Sequence, residues 1–243
     1  MTLRADSGSN ESASVVLERL VDLACLLAFA LVLARAVFAN FLPGVSWAEA
    51  MLLVALCVSL TLSTARSRSL QTALLAAILI ATVGGWLHAV GALTRLPFGS
   101  FTYGAATGAK LGGLLPWTIP LVWVVLVLSS RGTAEVLLRN RRGTPNYGLQ
   151  AMGLTLAMAL VLEAGLEVFA RENGDWLWKR PEGAGVPGRV PLTALVGWLS
   201  ATALVLVMAT PFLLKKKPVR VNPDWRPLVI WIGLNAIFAC AFF

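Results

Sequence analysis

The sequence predicts an all-α, polytopic integral membrane helical bundle with about seven transmembrane helices, and three observations carry that expectation. The chain of 243 residues is 58% hydrophobic with a mean hydropathy of +0.77 and only 13% charged residues. A water-soluble domain of this length could not hide so much apolar surface. The apolar residues fall into runs of spanning length, and the basic residues cluster between those runs.

Taken in order, the expected spans are roughly 20–41, 48–64, 70–93, 112–130, 149–170, 191–214 and 225–243. Pro43-Gly44 ends the first run, and Arg66 to Arg68 separates the second from the third. The second and fourth are short but near the minimum of about 17 residues for crossing a bilayer. Arg141 to Pro145, Pro181 to Pro187 and Lys215 to Pro218 divide the remaining runs. Residues 1–18 are mixed in charge and read as a polar tail, and 19–243 as a single transmembrane domain without internal repeats. The N-terminus lacks a basic leader region, so the first run is expected to be a retained span, although Ala34-Arg35-Ala36 mimics a cleavage site.

The net charge of +8 would raise nucleic acid as a partner in a soluble protein, but here the positive charges sit where loop charges do. Thirteen of the twenty Lys and Arg residues fall on the N-terminal side of the expected topology and seven on the other. The positive-inside rule therefore places the N-terminus in the cytoplasm, in a membrane expected to be the prokaryotic cytoplasmic membrane. Lys215 to Lys217 reads as a topology anchor with affinity for anionic lipid. Cys25, Cys57 and Cys240 lack metal-ligand spacing. There is no Gly-rich phosphate loop, no nucleophile with a base in reach by pattern and no His cluster. Neither metal nor cofactor is expected.

Glu163 and Glu167 carry the most information. They stand four residues apart in an apolar run, hence on one helical face. A carboxylate at mid-bilayer costs roughly 2.5–3.5 kcal/mol on insertion scales, so such acids face protein or a wet cavity, or lie near the interface. The topology brings His88, Arg35, Asn40, Glu49 and the loops 94–111 and 171–190 to the same end of the bundle. Two readings of the acids stay open: interfacial solubility groups, or an acid/base pair. His88, the single histidine, is either bonded to a neighbouring helix or catalytic. Ala81, Gly84 and Gly91 share its face and would let a neighbouring backbone approach. Phe98, Tyr103, Trp176 and Trp178 are either an interfacial aromatic belt or the lining of a long apolar ligand, with ring faces suited to a cation.

At these residues the chain resembles the carotenoid biosynthesis membrane-protein family that includes the carotenoid 1,2-hydratases. Leu96-Pro97-Phe98-Gly99-Ser100-Phe101-Thr102-Tyr103 is similar to the family's Pro-Phe-Gly-x-Tyr-x-Tyr loop, and Glu163-Ala-Gly-Leu-Glu167 falls where it carries two aspartates. Trp176-Leu-Trp178 resembles its Trp-x-Trp, and the stretch from Val190 to Trp198 resembles its Val-Pro-x-x-Asn-Phe-x-Gly-Trp. The matches keep their order over roughly residues 84–198. His88 stands where a glutamate is expected, Phe101 replaces a tyrosine, Ala194 an asparagine and Val168 a proline.

The resemblance implies a cofactor-independent hydro-lyase that adds water to the terminal C=C of an acyclic carotenoid or other long isoprenoid. Glu163 or Glu167 would donate the proton, the other would position water, and His88 would assist. Phe98, Tyr103, Trp176 and Trp178, with Trp198 of the last motif, would bind the end group. A carotenoid or lipid carrier, a proton conductor, and an isoprenoid cyclase or isomerase use the same acidic face and remain the alternatives.

Overall fold

A computed structural model describes residues 6–37, 47–104, 107–178, 192–214 and 223–240. Among them are seven helices: α1 (Asp6–Val37), α2 (Trp47–Ala65), α3 (Leu70–Thr94), α4 (Ile119–Leu137), α5 (Tyr147–Glu172), α6 (Leu192–Leu213) and α7 (Arg226–Ala239). Four short strands accompany them: β1 (Phe101–Tyr103), β2 (Lys110–Leu111), β3 (Leu115–Pro116) and β4 (Trp176–Trp178). Helices α2 to α6 are each long and apolar enough to cross a membrane, and α7 is a shorter apolar helix. Large apolar side chains such as Leu26, Ile78, Trp86, Leu149 and Val207 are exposed, as expected where lipid is the solvent. The chain is an integral membrane protein.

Helix α4 is the centre of the bundle and packs against α2, α3, α5 and α7. It has the lowest hydropathy of the five long spans yet is the most buried of them. Its neighbours, not lipid, are its solvent, so it can carry Ser129, Ser130, Arg131 and Thr133 fully or almost fully buried.

The fourth span is the main departure from the sequence reading, since 112–130 becomes 119–137. Gly112 and Gly113 adopt positive φ (57° and 72°) in the turn of the β2–β3 hairpin, which consumes the first residues assigned to the span. Pro120 then stands in the first turn of the helix, where its missing N–H costs nothing. At the other end Arg131 does not terminate the helix. Its Nε donates to Glu135 at 3.2 Å one turn later, and Arg68 meets the same carboxylate at 3.0 Å. Removing one partner of such a buried network typically costs about 3–5 kcal/mol. Glu135→Gln is accordingly expected to lower the thermal midpoint of the detergent-solubilised protein clearly, measured against wild type in the same micelles.

The polar stretch ahead of the first apolar run is helical from Asp6 onward. Glu18 pairs with Arg66, and with Arg226 at 2.7 Å, tying α1 to the α2–α3 turn and the start of α7. The Arg66 hydrogen bond holds the Glu18 carboxyl below its ordinary range. Asn40, the Pro43-Gly44 break, the Arg35 side chain, the 181–187 break and Lys215 to Lys217 lie outside the described residues.

The two longer loops meet at one end of the bundle. Strands β1 and β4 pair antiparallel, with Phe101 opposite Trp178 and Tyr103 opposite Trp176. Strand alternation sends Phe101, Tyr103, Trp176 and Trp178 inward and leaves Thr102 and Leu177 exposed. Gly104 makes this pairing possible, because a Cβ there would overlap the Gly174 carbonyl. At Gly197 on α6, a Cβ would lie 2.7 Å from the Pro97 carbonyl oxygen and 2.8 Å from the Phe98 Cα. Glycine thus seats the 97–98 backbone directly on the helix, fixing Phe98 over the bundle end.

Candidate active site

Helix α5 presents Glu163 and Glu167 toward α6, and both are buried, at 0% and 2% exposure. The interfacial solubility reading of the pair is therefore not what the packing favours. Glu167 accepts three indole N–H groups: Trp176 at 3.0 Å and Trp178 at 3.1 Å on Oε2, and Trp198 at 2.5 Å on Oε1. Hydrogen bonds to a charged acceptor contribute about 1.5–3 kcal/mol each, so a carboxylate held by three is fixed in position. Trp176 and Trp178 are one strand repeat apart on β4, which points both indoles to one oxygen.

Glu163, one turn earlier, accepts from the Thr202 hydroxyl through Oε1. Its Oε2 is buried with no partner among the described residues. Trp198 and Thr202 are themselves four apart on α6, so antiparallel α5 and α6 match residue for residue: Glu167 with Trp198, Glu163 with Thr202.

His88 lies on the buried face of α3 with Ile80, Gly84 and Gly91 and is 3% exposed. Its Nδ1 lies 2.8 Å from the Tyr103 hydroxyl, while Nε2 has no partner among the described residues. Burial pushes the Tyr103 phenol up, keeping it a neutral hydroxyl. Either that hydroxyl donates and Nε2 carries the imidazole proton, or Nδ1 donates and Nε2 is free to accept one. Around the imidazole stand Phe98, Trp198, Trp123 and Phe101, with ring centroids 4.6, 4.9, 5.9 and 6.0 Å away.

The small residues of α3 serve this cage in a way the sequence pattern did not convey. A Cβ at Gly84 would overlap the Trp123 indole, and one at Gly91 would sit 2.7 Å from the Phe98 ring. They make room for aromatic rings beside His88, not for a neighbouring helix backbone.

All eight residues singled out from the sequence are thus gathered at one end of the bundle: Glu163, Glu167, His88, Phe98, Tyr103, Trp176, Trp178 and Trp198. Trp123, Thr202 and Phe101 join them. The four-residue repeat of Trp198 and Thr202, mirroring that of the two acids, was the available signal for Thr202. Trp123 comes from the second turn of α4, behind a Gly- and Pro-bearing entry to that helix.

Two cavities share Trp176 as a wall. A void of about 10 Å³, room for roughly one water, is bounded by His88, Phe98, Phe101, Glu167, Trp176, Trp178 and Trp198. A larger cavity of about 370 Å³ lies on another face of α5, where Leu162, Leu166 and Phe169 meet Leu53, Val122 and Leu126. That volume falls in the range of small-molecule sites, roughly 300–1,000 Å³. Trp176 lines both spaces, and Glu49 and Asp175 border the larger one. Among the described residues no group of three or more His, Cys, Asp or Glu could hold a metal ion.

Fold and site together define a polytopic membrane protein with two buried carboxyl groups, one of them held by three indoles, and an apolar cavity on the other side of Trp176. Residues 46–242 match the carotenoid biosynthesis protein family, and the chain belongs to it. It is also 28% identical over 160 residues to a bisanhydrobacterioruberin hydratase of Haloarcula japonica, covering 63% of this chain and 52% of that protein. The chain thus spans about half the length of that curated relative. No solved structure matches it.

Proposed function

We propose that the protein adds water to the terminal C=C of an acyclic carotenoid or similar long isoprenoid, giving a tertiary alcohol. The observation that carries this reading is the Glu167 carboxylate, held by three indoles beside a water-sized void and an apolar cavity that share Trp176. Family membership and the likeness to a hydratase support it.

Each residue then has a separable role. The isoprenoid chain of the substrate lies in the larger cavity, and its end group passes the shared Trp176 wall to reach the two acids, which do not themselves line that cavity. Glu163, with one carboxyl oxygen unengaged, delivers a proton to the less substituted alkene carbon, and the C=C electron pair forms the new C–H bond. The resulting tertiary cation faces Glu167 and the indole rings, whose charge and π-electrons are in place before the cation forms. Water in the small void, between His88 and Glu167, bonds to the cation through oxygen. It loses its surplus proton to His88 Nε2, and return of that proton to Glu163 resets the site. The balance is one water added, with no oxidant or reductant.

Co-expression with an acyclic carotene tests the reading, because a hydratase raises pigment mass by one water. A carrier changes pigment distribution only, and a cyclase or isomerase leaves mass unchanged. The cavity assignment has its own test. Val122 lines the larger space without touching the acids, so Val122→Trp is expected to fold normally but lower conversion at least about tenfold, equivalent to ~1.4 kcal/mol on the barrier. Initial rates in isolated membranes measure this.

A further inference from the structure

The end of the bundle opposite the acids holds a separate cavity of about 150 Å³, between the α2–α3 turn, the last turns of α4 and the start of α7. Its charged lining consists of Arg66, Arg68, Arg131, Arg142, Glu135 and Asp224, four positive side chains against two negative. Among the described residues Glu135 pairs with three guanidiniums, Arg68 at 3.0 Å, Arg131 at 3.2 Å and Arg142 at 4.0 Å, and Arg68 also donates to the Ser67 hydroxyl and the Leu213 carbonyl. Arg66 turns instead to Glu18, with Asp224 3.8 Å away.

Arg68 and Arg131 are 9% and 6% exposed in their side chains, and Arg68 Nε, nine-tenths buried, has no acceptor among the described residues. Buried positive charge in excess of its partners calls for a counter-anion. Guanidinium forks present paired N–H donors at the spacing of phosphate oxygens. Arg131 lies six residues before the end of α4, so the basic lining reaches about 9 Å below the helix terminus. A surface cluster of topology arginines would not extend to that depth.

We propose that this arginine-lined cavity binds a phosphate group, presented either by a membrane lipid headgroup or by a soluble phosphate compound. The full chain, delipidated and placed in neutral phosphatidylcholine nanodiscs, is titrated with pyrophosphate while its thermal midpoint is followed. A parallel preparation contains phosphatidylglycerol, and potassium chloride at matched ionic strength is the control. Arg142→Gln is the test variant, since Arg142 is the most exposed of the three around Glu135 and its removal leaves the Arg68 and Arg131 pairs intact.

The expected result is a rise of several degrees in wild type that is at least halved in Arg142→Gln. Arg142→Lys keeps the charge without the fork and should retain part of the rise. A rise with phosphatidylglycerol alone identifies a lipid headgroup, and a rise with pyrophosphate in neutral discs a soluble phosphate. No rise with either, an equal rise in Arg142→Gln and Arg142→Lys to that of wild type, or the same rise with chloride would overturn the proposal.

Discussion

Glu163→Gln is expected to abolish water addition while leaving the bundle folded. The amide oxygen can still accept from Thr202, and the substitution keeps the size and shape of a fully buried side chain. What it removes is the proton that the first step requires. Loss of a positioned general acid costs typically 10²–10⁴ in rate, so hydroxylated product should fall about a hundredfold or more. The thermal midpoint should stay close to that of wild type. An unchanged rate would remove Glu163 from the proton-donor role.

Glu167→Gln should fail differently, lowering stability and rate together. Trp176 and Trp178 both donate to Oε2 and Trp198 donates to Oε1, so a carboxylate satisfies all three. Glutamine has one acceptor oxygen and an NH₂ group, and at least one indole N–H must then face another donor. An unsatisfied buried donor costs about 1–3 kcal/mol, and the negative charge opposite the cation is lost as well. The measurement is paired: midpoint and initial rate both fall for Glu167→Gln, whereas only the rate falls for Glu163→Gln. Equal midpoints for the two variants would contradict the hydrogen-bond assignment.

The helical spans were legible because lipid imposes a length and a polarity that composition alone can satisfy, as for the runs that became α3, α5 and α6. The site was legible through energetic cost, since Glu163 and Glu167 in an apolar run required partners. Which partners could not be read off. The triple indole cradle depends on β4 pairing with β1 and on Trp198 arriving from another helix, both long-range events. Helix α4 shows a converse limit. Its boundaries were misplaced because hydropathy measures affinity for lipid, while this helix is solvated by protein and keeps Arg131 inside. The altered family positions also gain a physical setting: His88 and Phe101 pack together with Tyr103 in one aromatic cage.

The central claim is that the oxygen of the new alcohol comes from water trapping a carbocation. The most direct measurement reconstitutes the purified protein in liposomes with an acyclic carotene, anaerobically, in heavy-oxygen water. The predicted product is a tertiary alcohol carrying the heavy oxygen, absent when Glu163→Gln is used. An unlabelled alcohol, or a pigment of unchanged mass, would contradict the account.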